Sequence, residues 1–302
     1  MSHKTQKITK AVFPAAGFGT RFLPATKSQP KEMLPIVDKP VIQYLVEEAV
    51  DSGITEIIIV TGRGKRAIED HFDSSWELEH NLVEKGKHNL LKDIRKISRL
   101  AKFIYVRQAE PKGDGDAILC AKEVIGNDPF VVLFGDDIID HTTPATKQLL
   151  DIFYQKNSCV IALEQIEKEK THMYGVIGTK QYPSNSKNSK SYNSRLHLIE
   201  TLVEKPQPAQ APSNLAIIGK YILTPEIIPA LLRARPSHDS ELRLIDGLLE
   251  LGKTQSLYGY EVEGRHYDTG DKLGLIKATI DFALARPELA PALMAYLKTL
   301  TR

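Results

Sequence analysis

The sequence predicts an α/β protein built on an open, mostly parallel sheet covered by helices. Three observations carry that prediction. Strand-like and helix-like patterns alternate through the first half of the chain. The run Thr55-Glu-Ile-Ile-Ile-Val-Thr61 is short, β-branched and apolar at its centre, as a strand buried on both faces must be. Several such runs empty into glycines or acidic residues, and open parallel sheets bind ligands at the carboxyl ends of their strands.

The first strand, 8–14, ends in the stretch AAGFGTRFLP, residues 15–24. A dinucleotide fingerprint would need glycine where Phe22 stands, and a P-loop would need glycine where Thr26 precedes Lys27-Ser28. The stretch therefore reads as a nucleotide loop of a third kind. An irregular segment punctuated by Pro24, Pro30, Pro35 and Pro40 follows. A helix over 41–51 then presents Ile42, Leu45, Val46 and Ala49 on one face, with Gly53 just past its end. After the strand at 55–61 come a helix at 65–72, a longer helix at 74–98 and a strand at 103–108. A second glycine cluster, Gly113-Asp-Gly-Asp116, leads into a helix at 116–125. The strand at 130–134 ends in Gly135-Asp136-Asp137.

The second half changes character. Strands are expected at 158–165, 174–179, 196–204, 214–223 and 255–262, and helices at 225–233, 240–251 and 271–285. An amphipathic helix at 288–300 closes the chain. The Ser-, Asn- and Lys-rich stretch 183–193 reads as an exposed hairpin tip without chemistry. One large α/β domain with a smaller appended β subdomain accounts for the pattern.

With 302 residues, 42% of them hydrophobic, the chain can bury a real core. A net charge of +2 leaves no electrostatic footprint for nucleic acid or an anionic membrane. Cys120 and Cys159 stand in apolar surroundings and read as buried thiols, not as a disulfide or metal pair. The amino terminus has no apolar signal segment and no stretch approaches a membrane span, so a cytoplasmic protein is expected. The final helix packs on its own core or makes a subunit contact, which leaves a homo-oligomer open.

The chemistry-bearing residues gather at the strand ends. Gly17 and Gly19 let backbone N–H groups approach a ligand closely, or simply make a tight turn. Arg21 and Lys31, in a segment too broken to be a helix face, read together as phosphate-neutralising cations, and each alone as a surface charge. Asp136 suits a hard cation, since Mg²⁺ takes one or two carboxylates plus phosphate oxygens; a turn or capping aspartate is the alternative. Asp268 is a second such carboxylate, or the cap of the helix beginning near Asp271. His266 reads as structural. Glu204-Lys205 at a strand terminus holds a hydroxyl and a phosphate, or is an edge-strand ion pair.

Taken together, FPAAGFGTRFLPATKSQPKEMLPIVDKP resembles the signature G-x-G-T-R…P-K-x-(L/M)-L-P of the sugar-1-phosphate nucleotidylyltransferases. The resemblance runs from about 8 to 285 and implies a Rossmann-like sheet. Within the family, PKEMLPIVDKPVIQYLVEEAV, IEDHFDSSWELE, VRQ, VEKP and APSNLAIIGKYIL resemble the uridylyl-transferring branch. The thymidylyl branch shares the first motif but is usually shorter and lacks the HFDSSWELE insertion. Lys31 and Asp136 are both present, against a non-catalytic sensor of the same fold.

The resemblance implies Mg²⁺-dependent transfer from UTP to glucose 1-phosphate. Residues 8–140 would form the nucleotide half, 141–285 the sugar-phosphate half, and 286–302 a terminal helix. Ala15, Ala16 and Gly17 would lie along uracil and ribose, with Gly19 in the same nucleotide loop. Gln108 and Gly113 would hydrogen-bond the base, and Arg21 and Lys31 would embrace the triphosphate. Asp136 and Asp268 would hold Mg²⁺. Gly175 and Glu204 would meet glucose hydroxyls, and Lys205 the sugar phosphate. The sequence departs from the branch at Asp114 and Asp116, where Leu and then His or Thr are more usual. It departs again at Gly135 and Asp137, which flank Asp136 in place of Pro and Val, and at Arg243 and Ile245, where Gln and Thr are common.

Overall fold

The computed structural model describes residues 7–179, 194–236 and 240–300; the hairpin tip expected at 183–193 lies outside them. The chain begins with β1 (Lys10–Pro14) and passes through three single 3-10 turns at Thr20–Phe22, Ala25–Lys27 and Lys31–Met33. The small ribbon of β2 (Pro35–Ile36) and β3 (Lys39–Pro40) leads into α1 (Val41–Asp51) and β4 (Glu56–Thr61). Next come α2 (Arg66–Phe72), α3 (Trp76–Glu84), α4 (His88–Ile97), β5 (Lys102–Arg107), α5 (Asp114–Cys120), α6 (Lys122–Ile125) and β6 (Phe130–Leu133). The second half contains β7 (Asp137–Asp140), α7 (Ala145–Lys156), β8 (Val160–Gln165), β9 (Gly175–Thr179), β10 (Leu196–Glu204) and β11 (Leu215–Leu223). It ends with α8 (Ile227–Arg233), α9 (Leu244–Leu251), β12 (Leu257–Glu261), β13 (Arg265–Asp268), α10 (Lys272–Leu284) and α11 (Ala290–Leu300).

Among the described residues the main sheet has nine strands, in the order β5-β4-β1-β6-β11-β8-β12-β10-β9. Its first four strands are parallel, with Ala11 opposite Ile57 and Ile57 opposite Phe103. Beyond β6 the sheet turns mixed: β11 runs antiparallel to both β6 and β8, and β10 antiparallel to β12 and β9. The smaller β region expected in the second half is thus the far end of one continuous sheet.

Alternation along β1 and β4 feeds two cores, which is what the apolar run at 55–61 requires. Phe13, Ile57 and Ile59 join α1 and α7 on one face, through Ile42, Leu45, Leu149 and Phe153. Val12, Ile58 and Val60 join α5, α8 and α9 on the other, through Ile118, Leu231 and Leu248.

Several elements differ from expectation. The helix expected at 74–98 is two helices, broken where Gly86 takes φ +63° and lets the backbone of Gly86 and Lys87 close on Val83 and Leu82. The helix expected at 116–125 starts at Asp114 and breaks at Ala121. Helix α7 was not expected, although Leu149, Ile152 and Phe153 recur at helical spacing behind Pro144. The ribbon of β7 and β13 is equally new. No residue of α11 is buried, and Met294, Tyr296 and Leu300 stay exposed. Both cysteines are free thiols, Cys159 buried and Cys120 half-buried. Among the described residues no helix is long and apolar enough to cross a membrane.

Candidate active site

The parallel strands deliver their loops to one end of the sheet. Ala15 continues β1: it is buried, its N–H donates to Val60 O at 2.9 Å, and it lies beneath the loop. Gly19 adopts φ +65°, and a Cβ there would press to 3.0 Å on Lys31 Cβ. Thr26 Oγ1 donates to Gly19 O at 2.7 Å, so the glycine turn is fastened to the segment carrying Lys31. At Gly17 no atom beyond its chain neighbours lies within 4 Å of where a Cβ would be, so packing does not require glycine there.

A cavity of about 330 Å³ opens above this loop, lined by Ala16, Gly17, Gly19, Lys31, Gln108 and Gly113 together with Phe18 and Asp114. Six of the predicted residues therefore line one cavity. Arg21 is exposed and does not line the cavity, although its neighbour Thr20 does. A larger groove of about 490 Å³ between β10 and the end of α9 contains none of the predicted residues.

Lys31 Nζ lies 2.5 Å from Asp136 Oδ2. Burial alone lowers the Lys31 pKa, but Asp136 and then Glu32 more than offset it, and the ammonium titrates above its ordinary range. Behind it, Lys65 Nζ holds Glu32 Oε2 at 2.8 Å in a buried ion pair. Glu32 also packs where a Cβ on Gly135 would stand, which sets the Lys31 turn against the turn carrying Asp136.

The β7–β13 ribbon brings the two predicted metal carboxylates together, pairing Asp137 with Asp268. A Cβ on Gly270 would stand 2.6 Å from Asp136 Oδ2 and 3.0 Å from Asp268 Oδ1. Burial, then the Asp137 and Asp136 charges, push the Asp268 carboxyl above its ordinary value. Asp137 is otherwise engaged, accepting from Gly219 N–H and pairing with His266 Nε2 at 2.8 Å. Burial opposes charge on His266, yet its hydrogen bonds to Asp137 and Glu164 raise its pKa to about 10. His266 is a structural cation. The helix α10 is capped by Asp271, whose side chain accepts from Leu273 and Gly274 N–H, so Asp268 is not its cap.

Among the described residues no group of three or more potential ligands forms a closed metal centre. Two neighbouring carboxylates, one of them paired with the cavity-lining Lys31, suit Mg²⁺, which takes one or two carboxylates plus substrate phosphate oxygens.

Gly175 and Glu204 are direct cross-strand partners of β9 and β10. Glu204 Oε1 receives Arg243 Nη1 at 3.0 Å and Lys205 Nζ at 3.3 Å. Lys205 holds a left-handed φ of +46°, rare for a residue with a side chain, and its N–H donates to Tyr174 O at 3.0 Å. Tyr174 Oη in turn donates to Asp268 Oδ2 at 3.4 Å.

A run of neighbouring residues links these groups. It leads from Lys31 to Asp136, passes to Asp268 across the Cβ position of Gly270 that both carboxylates border, and continues to Tyr174, then through Lys205 and Glu204 to Arg243. From there Leu242 O accepts Gly115 N–H, Leu244 N–H donates to Asp114 Oδ1, and Gly113 O accepts Gln108 Nε2 at the cavity wall. Sequence reasoning did not assign Tyr174, Arg243 or Asp114 to the site. Asp114 and Arg243 were visible as departures from the family pattern; nothing local marked Tyr174.

The sequence model of the family described as "Nucleotidyl transferase" matches residues 10–283. The chain belongs to this family. Among its curated members, the UTP–glucose-1-phosphate uridylyltransferase of Bacillus subtilis strain 168 is 49% identical over 295 residues, 98% of each chain. The enzyme of that name from Staphylococcus epidermidis is 50% identical over 295 residues, 98% of this chain and 99% of its own. A solved UDP-glucose pyrophosphorylase complexed with UDP-glucose superposes with a TM-score of 0.82 at 41% identity, covering 93% of this chain and 100% of its own. The UTP-bound UGPase of Acinetobacter baumannii gives 0.86 at 36% identity, covering 98% of this chain and 99% of its own.

Proposed function

We propose that this protein transfers the uridylyl group of UTP to glucose 1-phosphate, giving UDP-glucose and pyrophosphate. The observation that carries the reading is that run of neighbours, which links the cavity-lining Lys31 to the Asp136 and Asp268 carboxylates and on to the Glu204–Lys205 corner. Relatives bearing that activity's name align with nearly the whole chain at about half identity.

In the reaction, a phosphate oxygen of glucose 1-phosphate attacks the α-phosphorus of UTP. The new P–O bond forms as the bond to the β-phosphate oxygen breaks, and pyrophosphate leaves with that electron pair. The nucleophile is already ionised, so no general base is required. The obstacle is charge: two like charges about 4 Å apart repel by roughly 1 kcal/mol in water and about 4 kcal/mol at an effective dielectric near 20. Lys31 and Arg21 would offset the triphosphate charge, and Lys205 would hold the sugar phosphate beside Glu204, which accepts sugar hydroxyls. Asp136 and Asp268 would hold Mg²⁺, which supplies further neutralisation of phosphate oxygens when bound. Rate enhancement would come from alignment and charge stabilisation.

The test is pyrophosphate release across a grid of nucleoside triphosphates and sugar 1-phosphates, with and without Mg²⁺. Highest kcat/KM for the UTP and glucose 1-phosphate pair is expected. Equal efficiency with dTTP, or with another sugar phosphate, overturns the assignment.

A further inference from the structure

Gln108 follows the carboxyl end of β5, where its N–H donates to Thr61 O at 2.9 Å, and the residue is 4% exposed. Its side-chain amide is oriented by two acceptors. Nε2 donates to Gly113 O at 3.0 Å and to Asp116 Oδ2 at 2.7 Å. Both N–H bonds of the NH₂ group are thereby used, one of them in a charge-assisted bond. The reverse orientation would set Oε1 against a carbonyl and a carboxylate, three acceptors together, and would lose both bonds. The hydrogen-bond network therefore assigns the flip, and Oε1 is left as the amide's free acceptor in a residue that lines the cavity.

Of the two orienting groups, Gly113 O belongs to a rigid backbone. Gly113 sits at φ +105°, a Cβ on it would collide with Leu242 O, and Ala117 N–H also donates to its carbonyl. Asp116 is the replaceable one, and it stands where the loop departs from the branch it resembles.

We propose that Asp116 is a positioning residue that locks the Gln108 amide with its oxygen toward the nucleotide base, so that the site selects a pyrimidine bearing an imide N–H over cytosine. The proposal rests on the uridylyl reading above. Uracil offers N3–H to an acceptor, whereas cytosine offers an unprotonated N3, and acceptor then faces acceptor. Asp116 does not touch the base; it acts through Gln108.

The experiment compares kcat/KM for UTP and CTP, with glucose 1-phosphate and Mg²⁺, in the full-length protein and in Asp116→Ala and Asp116→Asn. Without the carboxylate the amide can turn over. The UTP-to-CTP ratio is expected to fall about tenfold or more in Asp116→Ala, mainly through a higher KM for UTP and a lower one for CTP. Asp116→Asn keeps the shape but can accept or donate, so an intermediate fall is expected, and this variant decides the matter if the alanine variant does not fold. A purely structural role would depress both nucleotides together, so an unchanged ratio in a folded variant overturns the role of Asp116 while leaving the uridylyl reading intact. A wild-type protein that does not distinguish UTP from CTP overturns both.

Discussion

Replacing Asp114 by Asn should stabilise the protein at neutral and alkaline pH. Asp114 opens α5, accepts Leu244 N–H at 2.6 Å, and lies near Glu204 and Asp246. Burial raises its pKa from 3.8 to about 6, only partly offset by the Leu244 N–H and by Arg243. The sign follows from linkage. Below 3.8 both folded and unfolded chains hold the proton and no penalty exists. Between 3.8 and about 6 the unfolded chain ionises first, so stability falls as pH rises; above about 6 the full penalty is present. A displacement of that size corresponds to about 3 kcal/mol against the ionised form. Because Asp114 also lines the cavity and is partly exposed, water recovers a share, and a gain of about 1–3 kcal/mol is expected. Asn keeps the oxygen that receives Leu244 N–H while removing the charge. Thermal unfolding followed by circular dichroism from pH 4 to 8 should show wild type and variant nearly equal at the acid end, and the variant's Tm ahead by a few degrees from pH 7 upward. A difference independent of pH, or a variant less stable at pH 8, refutes the reasoning.

The linked residues carry further expectations. Lys31→Ala should lower kcat by about 10²-fold or more with a smaller effect on substrate KM, whereas Lys205→Ala should chiefly raise KM for glucose 1-phosphate; steady-state kinetics showing the opposite division would remove those roles. Asp136→Asn should abolish the response of the rate to added Mg²⁺, and near-normal turnover in a Mg²⁺ titration would take Asp136 out of the metal site.

Much of the first half of the chain was legible because its signals are local. Helix α1 spans Val41–Asp51 as its apolar spacing predicts, and β4 fills the β-branched run. Ala16, Gly17, Gly19, Lys31, Gln108 and Gly113 line one cavity because parallel strands release their loops at the same end. Ala15 and Arg21 lie apart from these residues, Ala15 buried beneath the loop and Arg21 exposed beside the cavity-lining Thr20. Where a break depended on a single residue, as at Gly86, apolar periodicity ran through it and merged two helices.

Periodicity reports which face of an element meets the core, and from it the residues by themselves determined the alternating architecture, the parallel strands and the loops that carry chemistry. It holds no information about which distant segment supplies the partner. That Asp136 meets Asp268 follows from the pairing of β7 with β13. The docking of Gly113-Asp-Gly-Asp116 on Leu242 and Leu244, and the seating of Arg243 on Glu204, are likewise long-range pairings. Side chains remote in sequence become neighbours only when strand register and helix docking have been chosen for the whole chain at once, and burial across both cores, not any local pattern, makes that choice.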